Sequence, residues 1–181
     1  MNGVYGVKTG FTNGAGRCLV TSVKRKNLDI ICIVLGADTK KIRTTDSIKL
    51  IEYIYSNFKY KDIKTIIEDE FESWKNINSK RINIEKGRKN GIDLKLEEYN
   101  LEYYPIKNNT ENKIKIQINA NLNLLAPVEK NNKIGELMIS YDNNGILKIG
   151  ILTNEAIKKK SVLDYFFEIT KDYSGYLEKV I

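Results

Sequence analysis

Along the first 58 residues the spacing of apolar positions changes once. Val4 and Val7 open a strand, and two β-rich runs follow at 17–25 and 28–35, separated by Lys26-Asn27. The second run holds Ile30-Ile31-Cys32-Ile33-Val34-Leu35 without a polar break. Such a strand is expected to be covered on both faces, so it belongs to a larger body than three strands make. Over 39–58, Ile48, Ile51, Ile54, Tyr55 and Phe58 recur at three- and four-residue steps. This spacing predicts a helix with Thr39 as its N-cap.

After residue 58 the period becomes two. The longest case is Ile114, Ile116, Ile118, Ala120, Leu122 and Leu124, each separated by one polar residue. Ile82/Ile84, Leu94/Leu96, Leu101/Tyr103, Leu137/Ile139/Tyr141 and Leu147/Ile149/Ile151 repeat it more briefly, with Asn/Gly turn signals between them. The pattern predicts a small antiparallel sandwich or barrel over 60–154, with no helix between its strands and no chemistry of its own. Ile114, Ile116, Ile118 and Leu122 are expected on one buried face. From 161 to 181 helical spacing returns: Leu163, Phe166, Phe167, Thr170, Tyr173, Leu177 and Val180 share a face, preceded by Lys158-Lys159-Lys160. Spacing alone fits either a helix docked on its own protein or one lying in a membrane surface, and favours docking.

Composition narrows the chemistry. The 181 residues, 41% hydrophobic and 29% charged, suit one ordinary domain or two small ones and argue against disorder. No apolar run approaches the roughly 20 residues that span a bilayer. There is no histidine, which removes imidazole bases, Ser-His-Asp catalysis and His-ligated zinc. Two cysteines are too few for a thiolate metal site. A tight turn at Lys26-Asn27 sets Thr21 opposite Cys32 and leaves Cys18 on the other sheet face, so no disulfide is expected.

The net charge is +7, and residues 1–59 hold ten Lys/Arg against four Asp/Glu. That excess favours an anionic ligand in the first third. Nucleic acid is not expected, because Tyr5, Phe11, Tyr53, Tyr55 and Phe58 do not alternate with cations on a strand. The chain opens directly on a strand with no signal peptide before it, which reads as the interior of a longer sequence.

One stretch can carry chemistry: Val7-Lys8-Thr9-Gly10-Phe11-Thr12, followed by the turn Asn13-Gly14-Ala15-Gly16. A cation, a hydroxyl and a free backbone N–H at a strand edge together bind a carboxylate and a developing oxyanion. A glycine among them lets substrate approach the backbone.

These residues, with Ala15-Gly16, Gly36-Ala37-Asp38-Thr39 and Arg43, resemble the low-molecular-mass penicillin-binding proteins, serine-type D-alanyl-D-alanine carboxypeptidases. Leu125-Ala126-Pro127-Val128-Glu129-Lys130-Asn131 and Ile134-Gly135-Glu136-Leu137 are similar to that family's C-terminal β-domain, and Ser161-Val162-Leu163-Asp164-Tyr165-Phe166 to the start of its membrane-surface helix. The resemblance implies an α+β chain in three parts. Residues 1–58 are the C-terminal part of a catalytic domain, a partial β-lactamase/transpeptidase-like sheet with one long helix. Residues 60–154 are an all-β antiparallel sandwich, and 155–181 a C-terminal amphipathic helix.

It further implies that Lys8 is catalytic, holding substrate electrostatically and helping proton transfer. The Thr9 hydroxyl would bind the terminal carboxylate, Gly10 would allow close approach, and the Phe11 N–H would be one oxyanion donor. Arg43 matches a family arginine that pairs with the D-Ala carboxylate; on residues alone it is equally a solvated arginine of the first helical turn. Phe11 stands where some relatives have histidine. The family serine in Ser-x-x-Lys and its Ser-x-Asn both precede Lys-Thr-Gly, whereas no Ser-x-Asn occurs here, and the spelling Ser56-Asn57-Phe58-Lys59 falls after it, at the end of the long helix.

The expectation is therefore a C-terminal portion, inactive alone, of an exported enzyme at the outer face of the cytoplasmic membrane or in the wall. Its partners would be peptidoglycan stem peptides, β-lactams and, through 161–181, the membrane surface, with no cofactor and no nucleic acid. The competing reading is a non-catalytic wall- or partner-binding β-module.

Overall fold

The computed structural model describes residues 1–177, with side chains through residue 170. It divides into two compact units, Met1–Lys64 with Leu101–Lys113, and Thr65–Asn100 with Ile114–Ile181.

In the first unit, β1 (Val4–Thr12), β2 (Gly16–Arg25) and β3 (Leu28–Ala37) form an antiparallel sheet in that order. Arg25 pairs with Leu28 across the Lys26-Asn27 turn, and Lys26 takes the positive φ that such a turn demands. Thr21 stands opposite Cys32 and both cysteines are free, as the turn register predicts. At the other end of the sheet Gly16 and Gly36 both have positive φ, and a Cβ on Gly16 would lie 3.1 Å from Gly36 Cα. Only glycine lets the two backbones meet there.

Helix α1 (Lys40–Asn57) packs on β2 and β3. The Thr39 hydroxyl accepts from Ile42 N–H at 3.1 Å, the N-cap expected from sequence. Ile51 is fully buried with Val23 and Cys32, and Tyr55 Oη lies 2.8 Å from Val23 O and 2.9 Å from Leu28 O. The helix thus runs back along β3 towards the Lys26-Asn27 turn. The face of β3 away from α1 differs from expectation: Ile31, Ile33 and Leu35 are 66, 57 and 71% exposed. A ribbon of β4 (Phe58–Asp62) with β7 (Tyr103–Lys107) completes this unit, burying Ile63 and Ile106.

The second unit corrects one expectation. Helix α2 (Lys64–Asn78) begins where strands alone are expected, so residues 60–154 are not all β. Ile63, Ile67, Phe71 and Trp74 step by four, four and three, which is helical spacing; Ile67 and Phe71 are buried, and Glu68, Asp69 and Glu72 stand on the exposed side. After α2, β6 (Leu94–Leu96), β11 (Asn144–Thr153), β10 (Lys133–Tyr141) and β8 (Ile114–Ala120) form a four-stranded antiparallel sheet in the order β6-β11-β10-β8. The β10–β11 turn at Asp142-Asn143 has both φ positive, matching the twist of a hairpin.

Leu137, Ile139, Ile149 and Ile151 of the central strands are buried to 2% exposure or less. Ile114, Ile116 and Ile118 alternate as predicted with exposed Lys115, Gln117 and Asn119, but are only half-buried because β8 is an edge. The alternation runs past the strand: at Asn121, whose side chain accepts from Asn123 N–H, the chain leaves this sheet. It re-enters as β9 (Asn123–Leu125), paired in parallel with β5 (Asn83–Glu85). Helix α3 (Val162–Leu177) closes the described chain. Tyr173, Leu177 and Val180 of the predicted tail stripe lie outside the described side chains.

Candidate functional site

β1 is an edge strand, so alternate backbone groups along it point out of the sheet. Lys8, Thr9, Gly10 and Phe11 are all exposed on that edge. Successive side chains alternate in direction. Thr9 shares a row with Leu19 and Val34 on the α1 side, and Lys8 shares one with Val20 and Ile33 on the uncovered side. The two groups therefore flank the same edge. Lys8 Nζ bends back to Thr9 O at 2.8 Å, and the Thr9 hydroxyl has no hydrogen bond among the described residues. Phe11 lies opposite Arg17, whose guanidinium carbon sits 4.7 Å from the ring centroid. Nothing in the sequence singles out Arg17; only the strand register puts it there. Gly10 is not demanded by the fold, because a Cβ there would meet nothing nearer than Cys18 Cβ at 3.8 Å.

Arg43 is placed by a neighbour one helical turn away. Ser47 Oγ lies 3.3 Å from Thr21 Oγ1, and Cys32 Sγ reaches Ser47 O at 3.8 Å, which fixes Ser47 over the Thr21–Cys32 row. One turn of helix rises about 5.4 Å, close to the roughly 6.7 Å between alternate strand residues. Arg43 therefore stands over the Leu19–Val34 row, the row that ends at Thr9. Its Nε is buried without a partner, and its guanidinium makes no ion pair among the described residues. A buried, unmatched donor on a half-buried arginine is costly unless an anion meets it.

The Ser56–Lys59 spelling gives no comparable arrangement. Ser56 is in the last turn of α1, Lys59 is in β4, and the lysine is held in an ion pair with Glu111. Lys59 is thus engaged by that carboxylate, on a different element from Ser56.

Comparison with known proteins gives two separate matched stretches. Residues 1–39 match the family described as D-alanyl-D-alanine carboxypeptidase, and 72–159 match the C-terminal domain of penicillin-binding protein 5. Over both stretches the chain is similar to the low-molecular-mass D-alanyl-D-alanine carboxypeptidases. The C-terminal-domain match thus takes in the end of α2, from residue 72, and every strand from β5 to β11.

A D-alanyl-D-alanine carboxypeptidase of Bacillus subtilis, DacF, is 26% identical over 178 residues, covering 96% of this chain and 42% of that protein. DacA of Haemophilus influenzae is 32% identical over 144 residues, covering 79% and 34%. The crystal structure of the carboxypeptidase DacD from Francisella tularensis superposes with a TM-score of 0.59 at 25% identity, over 88% of this chain and 37% of that one. The chain therefore spans about two fifths of the length of such relatives, and its Lys8-Thr9-Gly10 edge lies inside the part matched to the carboxypeptidase family.

Proposed function

We propose that this chain supplies the Lys-Thr-Gly side of a D-Ala-D-Ala carboxypeptidase site, acting on peptidoglycan stem peptides together with a serine-bearing segment not contained in these 181 residues. The observation that carries the reading is the pair formed by the free Thr9 hydroxyl and Arg43, whose buried Nε lacks a partner in the row ending at Thr9. A terminal carboxylate fits that pair: the hydroxyl donates to one oxygen and the guanidinium meets the other. Lys8, on the opposite face, holds positive charge near the scissile carbonyl and helps proton transfer. The Phe11 N–H donates to the developing oxyanion, and Gly10 lets the peptide lie against the strand.

The nucleophile must approach from Lys8's side. Ile31, Ile33 and Leu35 are open there, an apolar face suited to a further layer of the same domain. A serine carried by that layer would attack the carbonyl, expel D-Ala and leave an acyl-serine for water to hydrolyse. β-Lactams would trap the same serine. Residues 1–58 serve catalysis in this reading, 60–154 form a supporting domain, and 155–181 attach the enzyme to the outer face of the cytoplasmic membrane. Val162, Leu163, Phe166, Phe167 and Ile169, 60–85% exposed on α3, support that attachment. No helix among the described residues is long and apolar enough to cross a membrane.

The test is reconstitution. The chain alone should neither retain labelled penicillin nor release D-Ala from a D-Ala-D-Ala peptide. Joining it to the serine-bearing part of a relative should restore both, and Lys8→Ala should then abolish most of the activity. Covalent labelling of the isolated chain would overturn the reading, with Ser56 the first residue to examine.

A further inference from the structure

The base of α3 joins two basic segments that are far apart in sequence. Gly87 and Lys159 face each other as an isolated antiparallel bridge. On either side Arg88 N–H donates to Lys158 O at 3.1 Å and Lys160 N–H to Lys86 O at 2.8 Å. Residues flanking a bridged pair point to the side opposite that pair. In the extended 158–160 segment Lys158 and Lys160 therefore share one side of this short ladder, and Lys159 points to the other. Arg88 is set on the shared side by its ion pair with the helix. Lys86, with a φ of 60°, is held at the ladder's end by the bond from Lys160.

The shared side is the one that meets α3. Arg88 Nε lies 3.0 Å from Asp164, while Lys160 Nζ lies 2.6 Å from Glu168 and 5.5 Å from the Tyr165 ring centroid. Those two cations are matched by acids of the helix. Lys89, next along, is matched by Glu155 at 2.8 Å. Lys86 reaches only Glu85, at 3.7 Å, and Lys158 has no ion pair among the described residues. Beside them α3 presents Val162, 85% exposed, with Leu163 and Phe166. Under-neutralised positive charge thus borders an unpartnered apolar helix face, the combination that suits an anionic lipid surface.

We propose that Lys86 and Lys158 form a headgroup-binding collar that selects anionic phospholipid while the apolar side chains of α3 enter the interface. The inference rests on the membrane reading of α3 given above. It also sets the salt response: residues 155–181 carry five lysines against five acids, which by itself predicts weak dependence, whereas the collar adds a screened contribution of about fivefold in affinity per lysine.

The test is co-sedimentation of the full chain with vesicles of phosphatidylcholine, alone or mixed with phosphatidylglycerol, at low and high salt. The chain should bind the mixed vesicles more tightly. Lys86→Gln/Lys158→Gln should weaken that binding more than tenfold at low salt, lose its effect at high salt and leave binding to phosphatidylcholine alone unchanged. Lys159→Gln, on the other side of the ladder, should cost clearly less. Equal binding by the double variant, or an equal loss from Lys159→Gln, would overturn the collar. The underlying attachment is tested separately by Phe166→Asp/Phe167→Asp, which should abolish binding to both vesicles. Unchanged binding by that variant, or no binding by the unaltered chain, would remove the membrane reading and the collar with it.

Discussion

Thr21 Oγ1 on β2 and Ser47 Oγ on α1 stand 3.3 Å apart, with both side chains buried. A hydroxyl pair of this kind has one favoured register in an otherwise apolar contact, so it locates the helix on the sheet better than Ile51 and Val23 do by packing alone. Ser47→Ala should cost about 1 kcal/mol by leaving the Thr21 hydroxyl unmatched. The double variant Thr21→Val/Ser47→Ala should cost less than the two single changes added together. Urea denaturation of the four proteins measures the difference.

Gly10 separates fold from function. Since a methyl group there meets nothing closer than 3.8 Å, Gly10→Ala should leave the urea midpoint of the chain within about 0.5 kcal/mol of the original. In the reconstituted enzyme the same change should raise KM for the peptide, because the methyl occupies the edge against which the substrate lies. A large loss of stability with no change in KM would contradict this division.

Gly135 makes the opposite case. It sits at a bulge of β10, and a Cβ there would come within 2.5 Å of Ala120 Cα and closer still to the Asn119 carbonyl. Backbone atoms cannot step aside as a flexible side chain would, so Gly135→Ala should destabilise the second unit by about 1–3 kcal/mol. Amide exchange should show the loss concentrated where β8 pairs with β10.

Between about pH 8 and pH 3 stability should fall on the acid side alone, because the groups raised in the folded state, Lys75, Lys133, Lys160, Tyr5 and Tyr55, lose their contribution only above that window. The hydrogen bond from Arg25 holds Glu52 below the usual carboxylate range. Lys89, with the Asp93 N–H, does the same for Glu155, and the Ser161 N–H and hydroxyl, with Arg88, for Asp164. Groups depressed in the folded state contribute stability that is fully present above their unfolded pKa, about 4, and is lost as pH falls through the folded value. The thermal midpoint should therefore be level from pH 8 to 5, there being no histidine to titrate, and drop below about pH 4. Glu155→Gln should lower the midpoint at neutral pH and flatten the acid decline.

The local code was readable where one signal dominated. Lys26-Asn27 determined the β2–β3 register down to Thr21 facing Cys32, and Thr39 capped α1 as expected. The Lys8-Thr9-Gly10 edge was legible because a short motif met its strand context. Helix α2 escaped because the alternation that begins after residue 58 was extended across Ile63, Ile67, Phe71 and Trp74, whose four-four-three spacing is helical. The departure of the 114–124 run into a second sheet was hidden for another reason. Alternation specifies which face is apolar but not which neighbour supplies the hydrogen bonds. Arg17 over Phe11, and Lys86 across from Lys160, depend on pairing between segments that no local pattern connects.

Because β7 returns from residues 103–107 to pair with β4, the chain leaves its first unit after Lys64, comes back at Leu101 and leaves again after Lys113. No single peptide bond can be cut to release the two units as separate, complete pieces. During synthesis the β4–β7 ribbon cannot close until residue 107 has emerged, by which point α2, β5 and β6 are already outside the ribosome. A circularly permuted or split version would therefore have to respect three crossings rather than one hinge. An evolutionary exchange of the second unit would have to carry the returning strand's partners with it.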